Sequence, residues 1–504
     1  MGKDLEVGLV QPDFYFYDVN AKLNFRPSDK DVLALSFYNG RDNLDESRLT
    51  TNDITRGNQS GGTVVTDIYD ITGWGNLGVS AKWSRQWSPR AYSNLLLAYS
   101  EYFSENTRNS VLERYAAEND SLLFSGDAAN LEDNRLGDFS LRLDNEFHLS
   151  KAHKFDAGFQ ATRSDVKYTN VRNDTLTVFS EDQSAQQVAL YVQDTWKPRA
   201  SLSLTIGLRG SWYNLTGSTY LEPRASVQYT LSDRFQLKGA FGQYNQFVAR
   251  VVNENVTEGA RDFWLLADEE NVGIQESTHY VLGASYETPS WLFDIEAYRK
   301  NLAGLSEFSL RFQRGGADFV ADDLFFDGSG VARGLEFLLQ RKVGRMTGWL
   351  SYTLAEVKHA FSGLNGGESF PALHDQPHEL KLVGTARLGS RWNLSATWAF
   401  ATGKPYTSPE SQYTLTLLDG SEQSYIHVGE KNEERLPNYH RLDMAVHYRF
   451  PVGRSDIDIG FSVFNLYNRT NVWYKEFDLS QSPFVTSDVS FLGVTPNLSV
   501  RIDF

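Results

Sequence analysis

Two stretches hold side chains of the types that bind metal ions. His374-Asp375-Gln376-Pro377-His378 brings two imidazoles and a carboxylate together, and Asp322, Asp323 and Asp327 gather three carboxylates. The acidic group lacks the spacing of an EF-hand calcium loop, so a solvated loop accounts for it. No G-x-S-x-G elbow puts a serine on a strained turn, which leaves hydrolase chemistry without a nucleophile. The chain has no Cys, and thiolate metal sites, disulfides and Cys nucleophiles go with it. It therefore reads as a non-enzyme with no cofactor and no metal. Recognition falls to aromatic and charged loops. Arg250, Phe263 and Trp264 lie in 250–271, and Tyr413 and Tyr425 in 411–435. Such rings form stacking shelves for a ligand, or they pack loop against loop.

The composition narrows the elements that hold these loops. There are 25 Tyr, 32 Phe and 11 Trp in a chain only 41% hydrophobic. That mixture suits alternating strands better than a helical core. No run approaches the ~18 apolar residues of a spanning helix. Lys and Arg number 48 against 64 Asp and Glu, a net charge of −16, which speaks against a nucleic-acid partner. Leu202, Leu204, Ile206 and Leu208 alternate with Ser203, Thr205, Gly207 and Arg209, and the same period recurs at 392–400, 441–450 and 497–504. One face is dry and the other wet.

Short polar turns are read at 28–30, 88–90, 150–152, 197–199, 232–234, 288–290, 343–345, 389–391 and 452–454. Mostly long polar segments lie between them, such as 106–135 and 403–437, and the pattern gives about 19 strands. Segments 136–149, 154–168 and 201–214 exceed the ~5–6 residues of a soluble strand and suffice for the ~9–11 that cross a bilayer. Trp87, Trp196, Trp291 and Trp392, with Phe25, Phe235 and Phe450, gather beside the short turns, as an interfacial girdle requires. Lys or Arg occupies eight of those nine turns, at the level of phospholipid phosphates. Mid-strand charges such as Arg142 and Asp144, Asp294 and Glu296, and Asp456 and Asp458 must face a wet lumen. A basic residue in lipid would cost about 2–4 kcal/mol at mid-depth. Leu204, Ile206, Trp398, Val446 and Val500 should then face outward. The expected fold is all-β, an antiparallel transmembrane β-barrel of about 19 strands.

Four segments in order carry a family resemblance. They are AQQVALYVQDTWKPRASLSLTIGLRGSWYN from Ala185, GLEFLLQRKVGRMTGWLSYTLAEV from Gly334, HDQPHELKLVGTARLGSRWNLSATWAFATGKPYT from His374, and LPNYHRLDMAVHYRF followed by GFSVFNLYNRTNV. Together they resemble the barrel of TonB-dependent outer-membrane receptors, in wording nearest those of Bacteroidetes. The resemblance implies a barrel of about 22 strands around a plug. It makes Asp375 and His378 part of a strand-opening motif, structural in duty. The opening MGKDLEVGLVQPDF carries no secretory leader. Residues 1–504 are accordingly expected to be the barrel domain alone, with signal, plug and first three strands absent. Its first strand would be 14–26, following an outer loop at 1–13.

By the same resemblance the protein sits in the cell outer membrane of a Gram-negative bacterium. It serves uptake of a scarce nutrient: siderophore-iron, cobalamin, a glycan or a peptide. Its partners are outer-membrane lipid and lipopolysaccharide, the barrel-assembly machinery, the unknown ligand, and TonB through the plug. Leu498, Val500, Ile502 and Phe504 would form the assembly signal of the closing strand. A plugless porin, with a narrowing loop folded into the lumen, and a soluble all-β binding protein are the alternatives.

Overall fold

Alternation along a chain becomes a surface only when strands pair, because residues opposite each other in an antiparallel ladder share a face. The computed structural model describes residues 13–56, 59–255, 259–268, 270–308, 325–416, 422–478 and 485–503. Of the 23 strands in its main sheet, four are short loop strands, Arg48–Arg56, Val248–Asn255, Gly259–Leu266 and Phe370–Pro371. The other 19 make the wall. They are β1 (Asp13–Ser28), β2 (Asp31–Asp45), β3 (Gln59–Ser88), β4 (Ala91–Tyr115), β5 (Leu122–His148), β6 (His153–Arg172) and β7 (Leu176–Arg199). Next come β8 (Leu202–Tyr213), β9 (Ser218–Ser232), β10 (Phe235–Gln246), β11 (Gln275–Glu287), β12 (Trp291–Phe308) and β13 (Phe325–Arg341). The last six are β14 (Met346–Phe361), β15 (His378–Leu388), β16 (Trp392–Ala401), β17 (Tyr439–Val452), β18 (Ser455–Phe464) and β19 (Thr495–Asp503). Each pairs antiparallel with the next in sequence.

The nine short turns all fall at one end of this wall, as the sequence predicts. One shifts slightly, since β7 runs through Arg199 and turns at Ala200 and Ser201. The opposite end differs from the expectation. Segment 106–135 is no long loop: β4 and β5 stay in register from Ala91↔Phe147 to Arg114↔Phe124, shift by one residue to Tyr115↔Leu122, and leave only 116–121 as a turn. Pairing satisfies every polar backbone group that a loop would leave to water. Strands β3 to β7 are 20–30 residues long, well beyond a bilayer crossing, so their far halves rise above it.

The distribution of apolar side chains is inside-out. Phe139, Tyr99, Val79, Phe37 and Ala21 stand opposite one another across five strands. The first four expose 38–48% of their surface. Ile206 and Val500 are exposed, at 69% and 60%, and Leu204, Trp398 and Val446 are half-buried. None of the five enters a core. Buried apolar residues collect instead at the long-loop end, around Tyr168, Phe179, Phe263 and Phe308. No helix among the described residues is long and apolar enough to cross a membrane.

Candidate ligand-binding vestibule and lumen

The loop between β10 and β11 positions the first group of candidates. Its two strands, Val248–Asn255 and Gly259–Leu266, form a hairpin that folds back inside the mouth. Asn134, on the lumen-facing row of β5, clamps it. The Asn134 amide oxygen accepts the Trp264 N–H at 2.8 Å, and its amide donates to the Trp264 carbonyl at 3.1 Å. Phe263 stacks on Tyr168 with centroids 4.1 Å apart and meets Phe308 edge-on at 5.4 Å. It is 2% exposed, so its ring packs loop on wall and offers no shelf to solvent. Trp264 is half-buried. Arg250 stands opposite Trp264 and pairs with Asp262, keeping most of its side chain in solvent.

The second loop, between β16 and β17, contains the hairpin Pro409–Thr416 with Glu422–Val428. Tyr413 lies opposite Tyr425 in its register and is 49% exposed. At its base Lys431 and Glu307 form a buried ion pair. Asp375 is 2% exposed. It accepts the Val357 N–H at 2.7 Å and pairs with Arg435. The Nδ1 of His378 meets the Tyr352 hydroxyl at 2.8 Å. These two residues thus tie a loop to β14, which is structural work. His374 is lowered from its ordinary range, first by partial enclosure and then by Lys404 and Arg250, with Asp375 opposing. Lys404 and Arg250 are thus the cations, and Asp375 the carboxylate, that bear on His374. Asp322 and Asp323 lie outside the described residues. Among those described, no cluster of three His, Asp or Glu could hold a metal ion.

Below the vestibule the wall supplies a site not singled out from the sequence. Tyr92, Arg142, Asp144, Tyr191, Arg209 and Arg224 line a cavity of about 430 Å³ on the lumen face. Alternation puts them there, since their neighbours Leu141, Leu143, Leu190, Val192 and Leu208 share the outer face. Arg142 donates to Asp144 at 2.8 Å, and the Tyr191 hydroxyl bonds the same carboxylate. Buried Glu222 sits between Arg209 at 3.5 Å and Arg224 at 3.2 Å, and accepts the Asn245 N–H at 2.8 Å. The mid-strand charges of the sequence reading are also spoken for. Lys238 bridges Asp294 and Glu296, Arg449 takes Asp456, and His447 takes Asp458. Such a wall can bind and orient polar or anionic groups.

The four tryptophans of the expected girdle, Trp87, Trp196, Trp291 and Trp392, are 38–50% exposed and lie at the short-turn end. Leu498, Val500 and Ile502 expose 48–69% on β19. Phe504 lies outside the described residues, as do residues 1–12.

Comparison with known proteins agrees with this architecture. No curated protein matches the chain by sequence. FpvA of P. aeruginosa, solved in complex with heterologous pyoverdines, superimposes with a TM-score of 0.63 at 12% identity, over 98% of this chain and 65% of its own. The ferric-catecholate import receptor Fiu of E. coli K12 gives 0.59 at 10% identity, over 98% and 80%. BauA, the ferric preacinetobactin receptor of Acinetobacter baumannii, gives 0.54 at 11%, over 98% and 79%. The chain thus spans just under two thirds of the first of these, and identities so low speak for the fold alone. A family model described as TonB dependent receptor-like, beta-barrel matches residues 11–466. The chain belongs to the TonB-dependent receptor-like β-barrel family.

Proposed function

We propose that the chain is the outer-membrane barrel of a TonB-dependent receptor that captures a scarce nutrient at its vestibule, in a Gram-negative bacterium. The observation that carries the reading is the family match over residues 11–466, and the vestibule cations Arg250 and Lys404, which keep solvent access, are the first candidates to meet a ligand. Cations at the mouth suit an anionic chelate. The solved neighbours are receptors for ferric siderophores, so a ferric catecholate is the first ligand to try. Tyr413 adds an exposed ring beside the mouth. The luminal arginines Arg142, Arg209 and Arg224 would meet an anionic cargo on its way through. TonB, acting through a plug, the barrel-assembly machinery and lipopolysaccharide complete the proposed partners.

The test is a titration of the detergent-solubilised chain with a ferric catecholate, followed by tryptophan fluorescence. Arg250→Gln with Lys404→Gln should weaken binding about tenfold or more, since each tenfold is only about 1.4 kcal/mol and charge-assisted hydrogen bonds are the strong ones. Equal affinity in wild type and variant would overturn the site. Steady conductance in a planar bilayer without any ligand affinity would favour a passive channel. A chain that stays monodisperse without detergent would favour a soluble protein.

A further inference from the structure

The short-turn rim carries cations all round, and some of them are spent on carboxylates. Arg85 lies 3.2 Å from Asp31, Lys154 is 3.2 Å from Glu146, and Arg449 is 2.9 Å from Asp456. One arc differs. On the turn between β13 and β14, Arg341 sets its guanidinium 5.7 Å from the centroid of Trp291, opposite it in register, and Arg345 is exposed four residues on. On the next turn, Arg391 donates to the Tyr448 hydroxyl at 3.3 Å, and the Tyr448 ring lies 4.5 Å from that of Trp392. Among the described residues no carboxylate lies within ion-pair distance of Arg341, Arg345 or Arg391. The nearby Glu287 is taken by Lys342.

We propose that this arc, Arg341, Arg345 and Arg391 with Trp291, Trp392 and Tyr448, is a binding site for the phosphate of an anionic phospholipid in the leaflet that meets the short turns. The proposal rests on the outer-membrane reading above. Its outward orientation follows from the ladder. Trp291 and Arg341 continue the row of Phe293, Ile295, Leu339 and Phe337, and Trp392 and Tyr448 that of Leu394 and Val446. The rings seat at headgroup depth. Neighbouring turns are two strand spacings apart, about 10 Å, so guanidinium groups on both reach the headgroup layer side by side. An arginine fork matches phosphate geometry, and no internal carboxylate competes for it. A zwitterionic headgroup brings its own cation and gains less.

The chain is reconstituted in phosphatidylcholine vesicles holding a minor fraction of brominated phosphatidylglycerol, or of brominated phosphatidylcholine in a parallel series. Quenching of tryptophan reports which lipid sits at the wall. Wild type should be quenched by brominated phosphatidylglycerol well beyond its share of the lipid. The triple variant Arg341→Gln, Arg345→Gln, Arg391→Gln should lose that preference, by roughly fivefold per arginine. The corresponding triple Lys variant should keep most of it, which guards against a folding defect. Arg85→Gln should leave it unchanged. A preference that survives the triple Gln variant, or none in wild type, overturns the proposal. Absence of quenching by brominated phosphatidylcholine as well would mean that the chain is not in the bilayer, a failure of the outer-membrane reading itself.

Discussion

At the upper end of β14, above the ~9–11 residues needed to cross a bilayer, the rings of His359 and His374 lie 6.1 Å apart. Burial pushes His359 down to about 4, with His374 and Lys431 adding to it. His374 is lowered too, although its ring keeps a solvent-facing edge. A free imidazole takes its proton near 6.5, so the open loop binds protons before the closed one does. The closed arrangement keeps its full stability above about 6.5 and loses it as pH falls toward 4. Hydrogen exchange in 362–377, corrected for its intrinsic rate, should therefore be faster at pH 5 than at pH 7, and His359→Phe should flatten the difference. Equal protection at both pH values would refute the coupling. Single residues were also where the sequence was hardest to read. Phe263 looks like a ligand shelf until Tyr168 and Phe308, far away in sequence, close over it. Asp194 breaks the outward row of Leu190, Val192 and Trp196 although charge was assigned to the lumen. It lies beside a short turn, where a lipid-facing charge costs only about 0–1 kcal/mol, and His153 bonds it at 2.8 Å while stacking on Trp196.

Among elements, the ends facing the short turns were legible because those turns are made of Asp, Gly, Pro, Ser, Lys and Arg, whose local chemistry fixes the reversal. The other ends were not, because whether a polar stretch pairs or loops depends on its partner. Asn106 illustrates this: it looks like a loop residue, yet its amide donates to Asp70 at 2.9 Å and to Thr72 at 2.8 Å across the β3–β4 ladder. The hairpin inside the mouth makes a separable element. β10 and β11 pair directly from Phe235↔Tyr286 to Gln246↔Gln275, so the wall does not need the residues between them. Replacing 248–273 by an Asn-Gly turn should leave the barrel folded, uncover Tyr168 and Val166, and widen the mouth. Single-channel recording in a planar bilayer should show higher conductance than wild type. Unchanged conductance would mean that the hairpin does not narrow the path.

For the molecule as a whole, the odd number of wall strands among the described residues has a geometric consequence. β1 and β19 both run toward the short turns, so joining them directly would require a parallel pair in an otherwise antiparallel wall. Among the described residues no ladder joins them, while each of the other 17 wall strands pairs on both sides. The outer loops nonetheless reach across, since the Tyr474 hydroxyl donates to Glu46 at 3.1 Å. β19 lies beyond the family match, and its reading rests on its own alternation. It pairs with β18 from Phe464↔Thr495 to Asp456↔Asp503, with Leu498, Val500 and Ile502 outward and Ser499 toward the lumen. We propose that this outward row, with Phe504, is what the assembly machinery reads, because β19, paired on one side only among the described residues, offers free backbone groups on its other edge and an apolar face to lipid. The two faces separate that role from ordinary strand pairing. In a Gram-negative host, Val500→Arg should lower outer-membrane levels, its lipid-facing charge costing between about 1 and 4 kcal/mol with depth. Ser499→Arg, one residue away but facing water, should leave them near wild type, and deletion of Phe504 should resemble Val500→Arg. Equal levels for all three proteins, measured on purified outer membranes, would show that the closing strand carries no such signal.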